Sequence, residues 1–343
     1  MSLNYVLSRA LLGLALAMGV CQLSFADAGT DEVQLLNGSR IVGTVTGVRD
    51  GVVSIETDFA GTLSISLDQV ESMQTAATTV LLMSDDSLLE DAPLLVQEGQ
   101  LVLDGGAAYP LSALSVANPE PWELGQGYKW SGLANLALVM QRGNTDTDEA
   151  DYKLESVWLS TQDRYTLQWH GETDEVNGEK SADNWQVTGK YDYFLADPNY
   201  VGVRVFAEHD KFADLDLRSL IGPYVGRLFY SEPVFTLSAE LGASYVDEDF
   251  KVAEDDNYVA ANWAINVTSD YLGGDSRLYF DQTGVWNIED TGDVIVNSTF
   301  GLAFPLLWNF EAAAEAILEY NAGAVDNVDD LDETYRLRVG YTW

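Results

Sequence analysis

The sequence predicts an all-β protein: a 12-stranded antiparallel transmembrane β-barrel preceded by a small SH3-like all-β module. Three observations carry the prediction. From Tyr128 to Trp343, segments of about ten residues alternate apolar and polar side chains between turns, the pattern of spanning strands. No later stretch suits a membrane helix, since the longest uncharged run, Val294 to Phe310, holds Asn297 and Asn309 and is broken by Gly301 and Pro305. Aromatic residues gather at strand ends beside the tighter turns, as in an interfacial girdle.

Residues 1–26 read as a signal peptide. Arg9 precedes the apolar run Ala10 to Val20, and Ser24-Phe25-Ala26 offers a small-x-small cleavage site. Cleavage there removes Cys21, the single cysteine, so an exported chain without disulfides is expected.

Residues 27–121 read as short strands with turn signals: Val33 to Leu36, Asn37-Gly38, Ile41 to Val48, Asp50-Gly51, Val52 to Ile55 and Thr62 to Leu67. A fainter copy follows, in which Val80-Leu81-Leu82-Met83 echoes Val33 to Leu36, and Glu98 to Leu103 echoes Asp50 to Ile55. The repeat predicts two stacked SH3-like half-modules. Asn118-Pro119-Glu120-Pro121 ends them as a linker.

Residues 128–343 form the barrel. Its expected strands are Lys129 to Met140, Ala150 to Ser160, Arg164 to Thr173, Asp183 to Phe194, Tyr200 to Lys211, Leu217 to Phe229, Val234 to Val246, Tyr258 to Tyr271, Ser276 to Ile288, Val294 to Phe304, Phe310 to Ala322 and Thr334 to Trp343. Alternate connections are expected to be long and polar, among them Asp174 to Ala182 and Asp247 to Asn257, with short turns such as Thr161 to Asp163 between them. An outer-membrane barrel places the long ones outside and both termini in the periplasm. The expected girdle comprises Trp130, Trp158, Tyr165, Phe194, Tyr200, Phe229, Phe235, Tyr271, Trp308, Phe310 and Trp343.

Trp130-Ser131-Gly132, the alternating strand after it and Arg142-Gly143-Asn144-Thr145-Asp146 resemble the opening of the salt-induced outer-membrane protein family of Gram-negative bacteria, which is defined by a domain of unknown function. Tyr341-Thr342-Trp343 is similar to the carboxy-terminal signal that outer-membrane barrels present to the barrel assembly machinery. The resemblance implies a barrel in the cell outer membrane, with the amino-terminal module in the periplasm. It implies no established activity.

Charge narrows the partners. The 343 residues hold 17 Lys plus Arg against 55 Asp plus Glu, for a formal charge of −38, which argues against nucleic acid because phosphate neutralisation needs bases. With 9 Trp, 17 Tyr and 12 Phe the chain is equally unlike a disordered acidic tail. The acids concentrate in the outer connections and in the module. Such a rim suggests divalent cations bridging to lipopolysaccharide phosphates, or a solvated surface screened by salt. Asp326-Asn327-Val328-Asp329-Asp330 lacks the glycine of a calcium loop, and neither a metal site nor a cofactor is assigned. The other expected partners are outer-membrane lipids.

Inward positions combine the acids Glu155, Asp192, Glu208, Glu240, Asp281, Glu311, Glu315 and Glu319 with the bases Lys153, Lys190, Arg204, Arg277, Arg336 and Arg338. The expected lumen network is Lys190, Arg204, Glu240, Glu311, Glu315, Glu319, Arg336 and Arg338, with the three glutamates of the eleventh strand facing the two arginines of the twelfth. It serves either as a salt-bridge filling or as a selectivity ring in a small passive pore or envelope-stabilising protein. No catalytic residue is assigned. The alternative is a phospholipase-like hydrolase using His170, which points inward, or His209, near the outer rim.

Overall fold

The computed structural model describes residues 31–343 apart from positions 50, 98, 104–106, 142–145, 197, 233, 274–275 and 324–329. The expected signal peptide with Cys21, the Arg142-Gly143-Asn144-Thr145 part of the motif and the stretch 326–329 lie outside the described residues. Two compact units, residues 1–119 and 120–343, divide the chain.

The first unit holds β1 (Asp31–Leu35), β2 (Arg40–Arg49), β3 (Val52–Thr57), β4 (Gly61–Ser66), β5 (Val70–Met83), β6 (Leu88–Gln97), β7 (Gln100–Val102), β8 (Ala108–Pro110) and β9 (Leu114–Ala117). The sheet runs β4-β3-β2-β1-β5-β6-β7-β8, and β9 pairs with β2 and β5. A duplicated pattern is visible at atomic level. Leu35 N–H donates to Ser39 O and Met83 N–H to Ser87 O, each at 2.9 Å. In the same two turns Asn37 Oδ1 accepts from Ser39 N–H at 2.9 Å, and Asp85 Oδ1 accepts from Ser87 N–H at 3.1 Å. The Ser87 hydroxyl and N–H together hold the Asp85 carboxyl below its ordinary range. Each half also has a one-turn 3-10 helix, Leu67–Gln69 and Leu111–Ala113, before its last strand. The halves differ from two stacked units in sharing β5, whose start pairs with β1 and whose end pairs with β9. Sharing a strand gives them one core, running from Val33, Val53, Ile55 and Met73 to Leu81, Leu94, Val96 and Leu101. This suits half-units too small to bury an adequate core alone.

The second unit is a closed barrel of β10 (Lys129–Gln141), β11 (Thr147–Leu159), β12 (Asp163–Val176), β13 (Glu179–Phe194), β14 (Asn199–Asp210), β15 (Leu215–Glu232), β16 (Phe235–Phe250), β17 (Asp256–Ser269), β18 (Arg277–Asn287), β19 (Val294–Pro305), β20 (Phe310–Asn321) and β21 (Leu331–Thr342). Every neighbouring pair is antiparallel, so closure satisfies the backbone without leaving an edge. Side chains alternate along the strands, apart from register shifts such as those on β15 at Leu215/Leu217 and Leu228/Tyr230. Leu136, Leu138, Val203, Val205, Ile221, Val225, Leu241 and Val339 are exposed on the outside, while the alternate positions carry most of the charge. An apolar exterior this continuous is foreign to a water-facing surface.

The closing pair, β10 with β21, is the shortest, from Leu133↔Thr342 to Leu136↔Val339. It explains the Trp-Ser-Gly motif. Gly132 exchanges backbone hydrogen bonds with Trp343 at 3.0 and 3.1 Å, and a Cβ on Gly132 would enter the Trp343 indole. The Trp130 and Trp343 rings meet edge-on at 5.6 Å, and Trp130 Nε1 donates to Ser156 Oγ at 2.7 Å.

Further expectations change, among them the connection expected over Asp247 to Asn257, which is only 251–255 because β16 runs to Phe250 and β17 starts at Asp256. The connection expected over Asp174 to Ala182 is a two-residue turn, Asn177-Gly178, with both residues at positive φ. This Asn-Gly pair matches strand twist, so β12 and β13 continue as a ladder and the acids there sit on strands. Tyr200, expected in the girdle, turns inward and is buried, because strand parity decides its direction. The outer face at the short-turn end instead adds Tyr128, Tyr193, Tyr230 and Tyr341, and a second aromatic set, Tyr245, Trp286 and Tyr320, is exposed toward the opposite strand ends.

Candidate functional site

The lumen assembles its charges from small and large residues on alternating inward positions. On β14–β16 the inward residues include Gly202, Gly222, Gly226 and Gly242. The Tyr224 ring occupies the space a Cβ on Gly202 would take, and the Tyr200 ring does so over Gly226. Glycine thus lets two tyrosines lie along the wall, with their hydroxyls aimed at carboxylates.

Glu240 on β16 is the hub. Lys190 Nζ donates to its Oε1 at 2.6 Å, Arg204 Nη2 to its Oε2 at 2.7 Å and the Tyr200 hydroxyl to Oε1 at 3.0 Å. Lys190 belongs to β13, so its chain reaches past β14 and β15 to the acid. The Glu240 side chain is 2% exposed, those of Lys190 and Arg204 14% and 10%. Beside this hub, Arg164 donates to Asp192 at 2.7 Å, and the Tyr224 hydroxyl bonds the same carboxylate, whose side chain is fully buried. The Lys190 and Arg204 cations also lie 5.1 and 5.4 Å from the Tyr224 ring centroid.

A second cluster lies nearer the long-connection end. Arg218 on β15 bonds Glu208 at 2.7 Å and Glu248 at 2.5 Å, and the Tyr258 hydroxyl adds a bond to Glu248 at 3.2 Å. The third spans the closing strands. Glu315 is paired with Arg338 and accepts from the Tyr279 hydroxyl at 2.5 Å. Glu311 pairs with Arg277 on β18 at 3.2 Å, and Arg336 reaches across β10 to Asp151.

The expected network is therefore divided. Lys190, Arg204 and Glu240 form one centre, and Glu315 and Arg338 another. Glu311 and Arg336 take partners from other strands, while Glu319 faces Asp332 with no base in ion-pair range among the described residues. Arg164, Arg218, Asp151 and the four inward tyrosines were not anticipated. Their parity was available, but a long side chain crossing two strands leaves no nearest-neighbour signal.

The inward His170 stands opposite Lys153 in register. His209 points outward, stacks on Trp185 with centroids 6.1 Å apart, and has Nδ1 2.7 Å from the Asp216 carbonyl. Neither histidine is hydrogen-bonded to a serine among the described residues. Several rim acids act as turn acceptors: Asp210 Oδ1 takes Phe212 N–H at 2.8 Å, Asp214 Oδ2 takes Ala253 N–H at 2.9 Å and Asp290 Oδ1 takes Gly292 N–H at 3.0 Å.

Residues 134–343 match the family described as protein of unknown function, DUF481. No curated protein matches the chain. Among solved structures, the NanC porin is 14% identical with a TM-score of 0.40, covering 62% of this chain and 98% of that one. The CymD monoaromatic hydrocarbon channel is 10% identical with a TM-score of 0.29, covering 63% and 87%. The outer-membrane channel DcaP of Acinetobacter baumannii is 10% identical with a TM-score of 0.31, covering 92% and 96%.

Proposed function

The chain belongs to the family of proteins of unknown function DUF481, and on that premise we propose that it is an outer-membrane barrel acting as a narrow passive pore, with residues 27–121 held in the periplasm. The supporting observation is the division of side chains by the wall, apolar outside and charged within. Twelve strands enclose more than an eight-stranded barrel that side chains fill, and less than a porin of about 16 strands. Glu208, Asp210, Glu248, Glu319 and Asp332 line the long-connection end, so cations are drawn to that mouth. Beyond it stands the paired belt of Lys190, Arg204, Glu240, Glu315 and Arg338. A belt of paired charges passes water and small ions and excludes larger solutes.

The burial of Glu240, Asp192 and Glu315 favours a second reading, in which the ion pairs fill the lumen and the barrel stabilises the envelope, including under salt stress. Divalent cations at the acidic rim, bridging to lipopolysaccharide, and recognition of Tyr341-Thr342-Trp343 by the assembly machinery belong to either reading. Liposome swelling with graded solutes separates them. A pore lets small ions through and retains disaccharides, whereas liposomes as tight as protein-free controls to every solute leave only the stabilising role. The hydrolase alternative predicts phospholipid turnover that His209→Ala abolishes, and no turnover by the intact protein rejects it.

A further inference from the structure

A groove of about 500 Å³ is cut into the outer wall of the barrel, lined by Tyr191, Tyr193, Val203, Pro223, Val225 and Leu241. Its volume is that of a ligand site, about 300–1,000 Å³. Its origin is local. The small outward residues Val203 and Pro223 stand in register between Tyr191 on one side and β16 on the other, and Gly202 and Gly242 form the floor. The tyrosine side is braced, because the Tyr165 and Tyr191 rings lie 4.9 Å apart and Tyr128 and Tyr165 5.9 Å apart.

Arg227 lies two residues beyond Val225 on the same outward face of β15, toward the short-turn end. The other arginines described in the barrel, Arg164, Arg204, Arg218, Arg277, Arg336 and Arg338, face the lumen and are paired with carboxylates. Arg227 is exposed, sits 5.6 Å from the Phe229 ring and has no carboxylate within ion-pair distance among the described residues. A lipid-facing cation is tolerated at the level of the headgroups, where it meets phosphate. The outward acid nearest the tyrosine side is Asp163, which accepts at 3.4 Å from the Tyr128 and Tyr191 hydroxyls.

We propose that this groove and Arg227 form a binding site for one glycerophospholipid of the leaflet at the short-turn end, its phosphate on the Arg227 guanidinium and one acyl chain along Val225, Val203 and Pro223. The occupant follows from charge and place: an unpaired cation below an apolar channel in a surface that only lipid contacts. The inference rests on the membrane reading.

The test uses the full chain, folded into vesicles of palmitoyl-oleoyl phosphatidylethanolamine and phosphatidylglycerol, released into mild detergent and weighed intact by native mass spectrometry. One retained phospholipid per barrel is expected. Arg227→Gln removes the phosphate contact and Val203→Trp fills the channel, so each should reduce retention about tenfold, while Val339→Trp on the far wall leaves it unchanged. Dioleoylglycerol, which lacks phosphate, should not be retained. Equal retention by wild type, Arg227→Gln and Val203→Trp overturns the proposal, as does no retention by a barrel that inserts. A chain that fails to insert into any vesicle defeats the membrane reading and this inference with it.

Discussion

Replacing Glu240 by Gln keeps the shape of the hub and removes its charge. Lys190 and Arg204 then remain with side chains 14% and 10% exposed and no other carboxylate within ion-pair distance among the described residues, and an amide NH₂ replaces one accepting oxygen. Breaking a buried ion pair by deleting one partner costs about 3–5 kcal/mol. The lumen is not fully dry and the Gln oxygen still accepts one bond, so the expected loss is about 3 kcal/mol. Urea titration of the barrel refolded into vesicles, followed by tryptophan fluorescence, reads this as a lower midpoint at unchanged slope. Combining Glu240→Leu with Lys190→Met and Arg204→Met should recover most of the loss, since no charge is then left without a partner. A Glu240→Gln barrel within about 1 kcal/mol of wild type would refute the hub, because that is the range of exposed pairs.

Asp31→Ala in the amino-terminal module removes a buried carboxylate that accepts from Val45 N–H at 2.8 Å and Ala76 N–H at 2.7 Å, and should lower the stability of that unit by about 1–3 kcal/mol in calorimetry. Gly178→Ala, at a φ of +84°, should destabilise the β12–β13 hairpin by about 1 kcal/mol, read by hydrogen exchange at the adjoining amides. The Arg40 guanidinium holds the Glu32 carboxyl below its ordinary value, as Ser87 does for Asp85. Both contributions are complete above the unfolded values of 4.5 and 3.8 and are lost as pH falls through the lower folded ones, so melting of the module should decline only below about pH 4.5. Deleting residues 27–121 should leave conductance unchanged, and a marked rise would mean that the module plugs the lumen.

The strands of the barrel were legible because a wall between lipid and lumen imposes a two-residue period on every span, and the start of β10 and the end of β21 are marked by residues that fit each other, Gly132 and Trp343. The Asn177-Gly178 turn was equally legible as a hairpin signal, but the acids around it suggested a loop. Tyr200 misled because aromatic type at a strand end suggests an interface, whereas its parity put it opposite Gly226 and beneath Glu240. Partners in the lumen were the least readable. Ladder neighbours would join Glu315 to Arg336, but the side chains select Arg338, and Lys190 passes over two strands to an acid that no pairing rule links to it. In the module the repeat was visible in Val80 to Met83 echoing Val33 to Leu36 and in Glu98 to Leu103 echoing Asp50 to Ile55, while the sharing of β5 was not, because only its end, Val80 to Met83, reads as a strand.

Single-channel recording of the full chain in planar bilayers tests the central claim most directly. The acidic mouth and paired belt predict small conductance steps that grow with salt, with a reversal potential favouring cations in a potassium chloride gradient. A barrel that inserts and stays silent in every salt would contradict the pore and leave a solid, charge-filled barrel in its place.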